Sequence, residues 1–372
     1  MNPFVIRPKI EYYAKLLDFT KTKSIGKGDL ILLEGFLLNK HKDAFCDGTG
    51  MIDISKYCSG EPTDKAVRSI MEAAGSIEYS RIVAIGGGTV LDIAKILSLD
   101  NGDKLEALLD KSITPARSRE LILVPTTCGT GSEMTDISII DFTEKNVKMG
   151  ITGDALYADI AVIIPELLCG IPEKVFAASS IDALIHASES YVSPKANDYT
   201  RMFSEKAIEM ILEGYKEYLL NGRILTDDLC ERFLFASNYA GIAFGNAGCG
   251  AVHAMSYPLG AAYHVPHGES NSVFFLDVFK KYHEINSSGA LSKWEDIVAL
   301  SIGSPKENVY EKLAEILGSI ITKKTLSEYG MKEEETQKFA DIVINSQKRL
   351  MANNFVPLDR EIVYGIYKGL YE

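Results

Sequence analysis

The chain has 372 residues, 46% of them hydrophobic, and its 51 acidic and 39 basic residues give a net charge of −12. Because domains usually hold about 100–200 residues, a chain of this length predicts two domains, each with its own core. The negative charge argues against a nucleic acid or an anionic membrane as the partner, and apolar runs such as IAVIIP are too short to cross a bilayer.

The cysteines and the N-terminal segment indicate the cellular compartment. Six cysteines are scattered without a C-x-x-C pair, unlike the dense frameworks of small secreted domains. Cys128 and Cys249 stand next to glycines and are expected to be small packing residues. The start, MNPFVIRPKIEYYAKLL, has charges within its apolar stretch and does not read as a signal peptide. We expect a soluble, cytoplasmic protein.

Strand-like runs alternate with helical segments through the first half of the chain. This alternation predicts an α/β domain with a doubly wound, mainly parallel sheet. The candidate strands are LILL (30–33), RIVAIG (81–86), LILVP (121–125), KMGI (148–151) and IAVIIP (160–165).

The pattern changes to helical spacing in the second half, as in FSEKAIEMILEGYKEYLL (203–220). Pro165, Gly170 and Pro172 cluster where the pattern changes, and such residues are typical of a connection between domains. The sequence therefore predicts an α/β domain over 1–172 and an all-α domain over 173–372.

Two glycine-rich loops follow candidate strands. In GGGTVLD (86–92), Gly86, Gly87 and Gly88 come where a strand turns into a helix, so a phosphate can approach the backbone and the positive helix end. The spacing is not G-x-G-x-x-G, and a tight turn alone explains it equally well. The second loop, PTTCGTGSE (125–133), offers hydroxyls on Thr126, Thr127, Thr130 and Ser132.

A polar turn in which Ser132 caps a helix is the structural alternative for the second loop. Two such loops on neighbouring parallel strands nevertheless favour a nucleotide site. Glu34 follows the first candidate strand, where an acidic residue often binds ribose hydroxyls and would repel the extra phosphate of NADP. A solvated surface glutamate remains the alternative.

Histidines are concentrated in one part of the sequence. Of the six in the chain, three fall within residues 253–267 and a fourth is His186. Asp182 and His186 are four residues apart in a helical pattern, so both project from one helix face.

The other two candidate ligands lie further along the chain. His253 belongs to a helical run that Pro258 and Gly260 are expected to interrupt, and His267 follows on a second turn. One carboxylate and three imidazoles suit a divalent ion with room for a substrate oxygen. The ligand set does not discriminate between Fe²⁺ and Zn²⁺, and ordinary hydrogen-bonded histidines are the alternative interpretation.

Four segments resemble motifs of the iron-containing, or group III, alcohol dehydrogenase family. They are GGGTVLDIAK, PTTCGTGSEMTD, DALIHASESYVS and HAMSYPLGAAYHVPHG, in the family's order over nearly the whole chain. The resemblance implies an NAD-binding α/β domain (1–172), a helical metal-binding domain (173–372) and an active site between them. Dehydroquinate synthase shares this architecture.

The resemblance also implies a role for each matching residue. The metal, Fe²⁺ with Zn²⁺ as the alternative, would be held by Asp182, His186, His253 and His267. NAD would contact Glu34, Gly86, Gly87, Gly88, Thr89, Thr126, Thr127, Thr130 and Ser132, with Asp92 facing the cleft and Lys148 near the nicotinamide ribose.

One position departs from the family pattern. Many members carry a histidine that relays the substrate proton where this chain has Tyr257. A phenol with a reference pKa of about 10 is a poorer relay at neutral pH, so either Tyr257 or the nearby His264 is the candidate for this role. With FGNAG, YHVPHGE and YVSPKAN, Tyr257 makes the chain most similar to the 4-hydroxybutyrate dehydrogenases of the family.

The implied activity is NAD-dependent interconversion of a primary alcohol and an aldehyde, with 4-hydroxybutyrate and succinic semialdehyde as the expected pair. His264, Tyr257 and Asn246 are the candidates for binding the carboxylate. The alternatives are a dehydrogenase for uncharged diols, glycerol or simple alcohols, a lyase similar to dehydroquinate synthase, and a catalytically silent nucleotide- or metal-binding protein. The resemblance also implies a homodimer or larger homo-oligomer.

Overall fold

The computed structural model describes residues 3–58, 60–143 and 147–372. The chain forms two compact units. One is Ile6–Ile171, and the other is Pro172–Glu372 together with the N-terminal segment that ends at Val5. Each unit has its own arrangement of secondary structure.

The first unit is built on a parallel sheet. Its strands are β1 (Lys9–Tyr12), β2 (Asp29–Leu33), β3 (Gly50–Asp53), β4 (Arg81–Gly86), β5 (Glu120–Pro125), β6 (Ile137–Phe142), β7 (Val147–Thr152) and β8 (Ile160–Ile163). Six of them form a sheet in the order β1-β8-β5-β4-β2-β3, in which every neighbouring pair is parallel. The carboxyl ends of β2, β4 and β5 therefore lie along one edge of the sheet.

Helices cover both faces of this sheet. They are α1 (Leu16–Thr22), α2 (Gly35–Lys40), α3 (Asp64–Ala74), α4 (Gly88–Leu97) and α5 (Leu105–Leu109). Alternate residues of β4 enter two separate cores: Ile82 and Ala84 pack in one with α3 and α4, while Val83 and Ile85 pack in the other with α1 and α2. Because successive side chains of a strand point to opposite faces, a strand buried on both faces must be apolar throughout. The predicted doubly wound α/β fold is confirmed.

The predicted place of KMGI in the parallel sheet is wrong. This segment belongs to β7, which pairs antiparallel with β6 in a separate two-stranded sheet. Only eight residue positions separate Ile151 from Ile160 in the chain, too few for the crossover that a parallel neighbour needs. Three strands were not predicted: β1 is a largely exposed edge strand, β3 is short, and β6 alternates between buried and half-exposed residues.

The second unit contains helices only among its described elements. They are α6 (Glu173–Val192), α7 (Asp198–Leu220), α8 (Asp227–Ala247), α9 (Ala251–Tyr263), α10 (His267–Ile285), α11 (Ala290–Ile302), α12 (Val309–Ile320), α13 (Glu335–Ser346), α14 (Lys348–Met351) and α15 (Arg360–Gly369). From Ser180 to Val192 every residue of α6 is buried. A helix that is buried all round lies inside its domain, and α6 packs against α7, α8 and α10.

Helix α9 does not stop where the sequence pattern predicts. It continues through Pro258 and Gly260 to Tyr263, and ends where His264 adopts a left-handed conformation with φ of 53°. Proline inside a helix removes one backbone hydrogen bond, but Pro258 and Leu259 are both buried, and their packing holds the helix together. Within the part of the chain that the structure describes, no helix combines the length and apolar character needed to cross a bilayer.

Candidate metal centre and coenzyme loops

Helix α6 provides two of the four predicted metal ligands. Asp182 and His186 are one helical turn apart and both are buried. Phe244 of α8 stacks on the His186 ring, with centroids 4.1 Å apart and planes 14° from parallel. This stacking fixes the plane of the imidazole, so its nitrogens point in a defined direction.

The other two ligands come from the neighbouring helices. His253 lies in the first turn of α9, and His267 is the first residue of α10. His253 Nε2 lies 2.9 Å from His186 Nε2 and 3.8 Å from Asp182 Oδ1, and His267 Nε2 lies 3.7 Å from Asp182 Oδ1. The structure therefore brings all four predicted residues together.

This arrangement fits a divalent ion. One potential ligand atom from each residue lies within 4.8 Å of the others. Ligands about 2.0–2.2 Å from a shared ion are themselves roughly 3–4 Å apart, as several of these atoms are. Three residues are buried, while the His267 side chain is 28% exposed. The exposed side at His267 is where a further ligand could approach an ion held by these residues.

The charges around this group favour an ionised carboxylate. Burial opposes ionisation of Asp182, but the three imidazoles and a hydrogen bond from Asn271 outweigh it and lower the pKa of the carboxyl group below its usual value. Burial likewise disfavours a charged His253, but Cys249 and Glu189 raise the pKa of its ring well above the usual value. Without a metal these charges favour a protonated His253 ring beside an ionised Asp182. A divalent cation bound at Nε2 would displace the ring proton there, because a histidine ligand must be neutral.

Glu189 supports this group and was missed by the sequence analysis. It is fully buried on α6, its Oε2 lies 2.6 Å from His253 Nδ1, and its Oε1 accepts a 2.7 Å hydrogen bond from the Val252 amide. A carboxylate at Nδ1 accepts a hydrogen bond from the Nδ1–H group, and this tautomer leaves the Nε2 lone pair for a metal. Asp182, His186 and Glu189 follow an i, i+4, i+7 spacing, a signal that was present in the sequence.

Replacing Glu189 with glutamine is expected to weaken metal binding by about 10- to 100-fold, the usual cost of losing an outer partner of a ligating histidine. The uncharged amide no longer holds the Nδ1 hydrogen of His253 as strongly. Competition with a chromophoric chelator measures the affinity. Glu173→Gln, at the exposed start of the same helix, is the matched control, and equal affinities of both variants and the wild type would contradict the assigned role.

The two candidate proton-relay residues occupy different surroundings. Tyr257 lies on α9 one turn after His253, and its ring centroid is 5.9 Å from that of His267. His264 is exposed at the end of α9. Asn246 is not available to bind a carboxylate as expected, because its amide exchanges two hydrogen bonds with the backbone of Val5.

The two glycine-rich loops of the first unit meet at the carboxyl ends of β4 and β5. A Cβ on Gly87 would lie 3.4 Å from the Thr127 side chain, and one on Gly88 only 2.8 Å from that of Thr130. Helix α4 begins at Gly88 with no side-chain cap. Its N-terminal amides are therefore not covered by a capping side chain. A pyrophosphate site requires such uncovered amides.

Asp92 and Ser132 belong to a buried cluster of hydrogen-bonded polar side chains. The Ser132 hydroxyl donates to Asp92 Oδ1 at 2.6 Å, and the fully buried Lys95 donates to Ser132 Oγ at 2.7 Å and to the Ile137 carbonyl at 2.6 Å. Asp92 Oδ2 also accepts from the Ile139 amide at 2.8 Å. These contacts join α4 to the second loop and to β6, and Lys95 was not predicted to take part.

The remaining predicted coenzyme residues lie around the same edge. Thr126 is buried and its amide donates to the Gly86 carbonyl, while the Thr89 hydroxyl donates to the Gly60 carbonyl at 2.6 Å. Lys148 forms an ion pair with Glu61.

Glu34 follows β2 and precedes the first residue of α2. Burial and the nearby Asp53 raise the pKa of its carboxyl group. Because β2 is the neighbour of β4 in the sheet, Glu34 lies on the side of the glycine turn where a ribose is expected.

Comparison with known proteins identifies the family. The "Iron-containing alcohol dehydrogenase" family matches residues 20–165, and the "Fe-containing alcohol dehydrogenase family, C-terminal" matches residues 176–371. The chain belongs to the iron-containing alcohol dehydrogenase family. The predicted family and the predicted enzyme class, an alcohol dehydrogenase, are confirmed.

Among members of this family, the chain is 46% identical over 371 residues to 4-hydroxybutyrate dehydrogenase of Clostridium kluyveri, with all of both chains covered. It is 33% identical to long-chain-alcohol dehydrogenase 1 of Geobacillus thermodenitrificans, over 79% of this chain and 75% of that one.

Solved structures share the fold of this iron-containing alcohol dehydrogenase. A 1,3-propanediol oxidoreductase matches with a TM-score of 0.85 and 23% identity, covering all of both chains. A sulfoacetaldehyde reductase from Bifidobacterium kashiwanohense, solved in complex with NAD⁺, matches with a TM-score of 0.86 and 20% identity, over 100% of this chain and 99% of that one.

Proposed function

We propose that this chain is an NAD-dependent and divalent-metal-dependent dehydrogenase that interconverts 4-hydroxybutyrate and succinic semialdehyde. The observation that carries the proposal is the convergence of Asp182, His186, His253 and His267 on one point. The choice of substrate is supported by the 46% identity, over the full length, to a 4-hydroxybutyrate dehydrogenase.

The four converging residues would hold Fe²⁺, with Zn²⁺ as the alternative. When bound there, the ion would supply Lewis-acid activation of the alcohol oxygen, and NAD would supply the hydride acceptor. The Asp182 carboxylate provides the negative charge that retains the ion. Glu189 keeps the Nε2 atom of His253 directed at Asp182 and His186.

The coenzyme would bind along the carboxyl edge of the sheet. Its pyrophosphate would lie on Gly86, Gly87, Gly88 and Thr89 at the start of α4, with Thr126, Thr127 and Thr130 alongside. Ser132, predicted as a further contact, would instead support the loop, because its hydroxyl is bonded to Asp92 and Lys95. Glu34 would bind the adenosine ribose and Lys148 the nicotinamide ribose. Asp92 and Lys95 would maintain the shape of the second loop through their hydrogen bonds.

Tyr257 and His264 have separate roles in this proposal. The Tyr257 hydroxyl, on the same face of α9 as His253, would donate a hydrogen bond to the substrate carboxylate. His264 is exposed at the end of α9, so it would exchange the substrate proton with solvent.

The proposal extends to the organisation of the whole enzyme. Residues 1–172 would bind NAD and residues 173–372 would bind the metal, in a cytoplasmic homodimer or larger homo-oligomer. The compact units of the chain, which divide at Ile171 and Pro172, support this division of roles.

A substrate screen tests the function directly. The protein loaded with Fe²⁺ or Zn²⁺ is assayed with NAD or NADP against 4-hydroxybutyrate, 1,4-butanediol, 1-butanol and glycerol. The expected result is the highest kcat/KM for NAD with 4-hydroxybutyrate. A higher kcat/KM for an uncharged alcohol would show that this alcohol, rather than 4-hydroxybutyrate, is the substrate. Bound metal and NAD without NADH formation from any alcohol would refute the proposed function.

Replacing Tyr257 with phenylalanine is expected to raise KM for 4-hydroxybutyrate about tenfold, the usual worth of one hydrogen bond to a charged group. KM for 1-butanol should stay unchanged because this alcohol has no carboxylate. Tyr199→Phe, at an exposed position of α7, is the control. An equal rise of KM for both substrates would show that Tyr257 does not recognise the carboxylate.

A further inference from the structure

Asn271 contacts three of the four candidate metal ligands. It lies on α10 one turn after His267 and is completely buried. Its Nδ2 lies 2.7 Å from Asp182 Oδ1, 3.2 Å from His253 Nε2 and 3.2 Å from His267 Nε2. The amide thus touches these side chains at the same atoms that converge on the candidate metal position.

The orientation of the amide follows from its neighbours. An ionised carboxylate only accepts hydrogen bonds, so the Asn271 atom facing Asp182 Oδ1 must be the nitrogen, which carries two hydrogens. This leaves the Asn271 Oδ1 atom buried without a hydrogen-bond partner among the described residues. A buried amide oxygen without a partner costs free energy. The side chain keeps this position because its nitrogen bonds to Asp182.

The amide lies against one side of the ligand set. Asp182 Oδ1, His253 Nε2 and His267 Nε2 form the three corners of one triangular face, and Nδ2 lies 2.7–3.2 Å from each corner. Nδ2 carries two hydrogens and can donate to two of these atoms at a time. With an ion on the Nε2 lone pairs, its hydrogen bond to Asp182 would keep the amide against this face and exclude a water or substrate oxygen there. His186 stands outside this face, so ligands must approach the ion from another side.

We propose that Asn271 is a positioning residue that fixes Asp182 and closes one face of the metal site, so that the bound ion keeps a low coordination number. This inference rests on the proposed metal site and deepens it. An ion with few ligands is a stronger Lewis acid and has an open position for the substrate oxygen. Asn271 acts through Asp182 and the covered face, and does not touch the reacting atoms.

Cobalt substitution tests the proposal without relying on turnover. High-spin Co²⁺ absorbs visible light less strongly as its coordination number rises, so the spectrum reports the number of ligands. In Asn271→Ala the face opens to water. We expect weaker visible bands than in the wild type and, because Asp182 loses its partner, an affinity for Co²⁺ lowered about tenfold.

Two further variants complete the experiment. Asn271→Asp keeps the size of the side chain but adds a carboxylate oxygen at the face, so its Co²⁺ bands should also weaken; it serves if the alanine variant does not fold. Ser270→Ala is the matched control, because Ser270 is buried on the same helix and donates instead to the Ser256 carbonyl. Its spectrum should equal that of the wild type.

The outcomes separate this inference from the function on which it rests. If the wild type binds no Co²⁺, the proposed metal site fails and the role of Asn271 fails with it. If the wild type binds Co²⁺ and the spectra of the Asn271 variants match it, the role of Asn271 alone is overturned, whatever their affinity. Weaker bands in these variants, with an unchanged Ser270→Ala spectrum, support it.

Discussion

Replacing His267 with alanine is expected to remove the bound divalent metal and to lower kcat about a thousandfold or more, because Lewis-acid activation contributes several kcal/mol to such a reaction. His267 is the first residue of α10, and its Nε2 lies 3.7 Å from Asp182 Oδ1. Alanine leaves only three ligands and widens the exposed side of the site. Metal content by atomic emission and turnover with 4-hydroxybutyrate are the two measurements.

His283→Gln is the matched control for this variant. His283 lies near the other end of α10, where its Nδ1 is 2.6 Å from Glu295 Oε1, and glutamine can still donate to that carboxylate. This control should retain its metal and most of its activity. Wild-type turnover in a metal-depleted His267→Ala protein would refute the metal site.

Replacing Lys95 with methionine is expected to lower the free energy of unfolding by about 3 kcal/mol, the usual cost of removing one member of a buried charged pair. Lys95 is completely buried, its Nζ lies 3.5 Å from Asp92 Oδ1, and it donates to Ser132 and Thr135. Burial lowers the pKa of its ammonium group against the attraction of Asp92. Methionine fills similar volume but leaves the carboxylate without its cation.

Urea denaturation of the metal-free protein measures this loss. The double variant Asp92→Asn/Lys95→Met tests the physical reason, because Asp92→Asn should cost much less once Lys95 is absent than it costs in the wild type. Lys65→Met, at an exposed position of α3, controls for the loss of a lysine. A Lys95→Met protein as stable as this control would disprove the role of the cluster.

Sequence patterns predicted those features that depend only on residues close together in the chain. The apolar run IVAI (82–85) predicted β4 because the interior of a strand buried on both faces has no polar positions. The spacing of Asp182 and His186 predicted a shared helix face because the helical repeat alone sets it. The turn from β4 into α4 was likewise visible in the three consecutive glycines.

Long-range packing decided the features that the patterns missed. KMGI was expected in the parallel sheet, but its hydrogen-bond partner is β6. Pro258 was expected to end a helix, yet α9 continues past it to Tyr263, and Pro258 is buried within the helix. Asn246 appeared in a family-like motif, but its amide holds the backbone of Val5, 241 positions away in the chain.

The sequence by itself determined the family, four of the strands in the parallel sheet, and the identity of the four candidate ligands. Only the tertiary structure decided that Asp182, His186, His253 and His267 converge, and that Glu189 and Asn271 hold two of them in place. The physical reason is that spacing along a helix sets which side chains share a face. Contacts between α6, α9 and α10 instead depend on how the three helices pack.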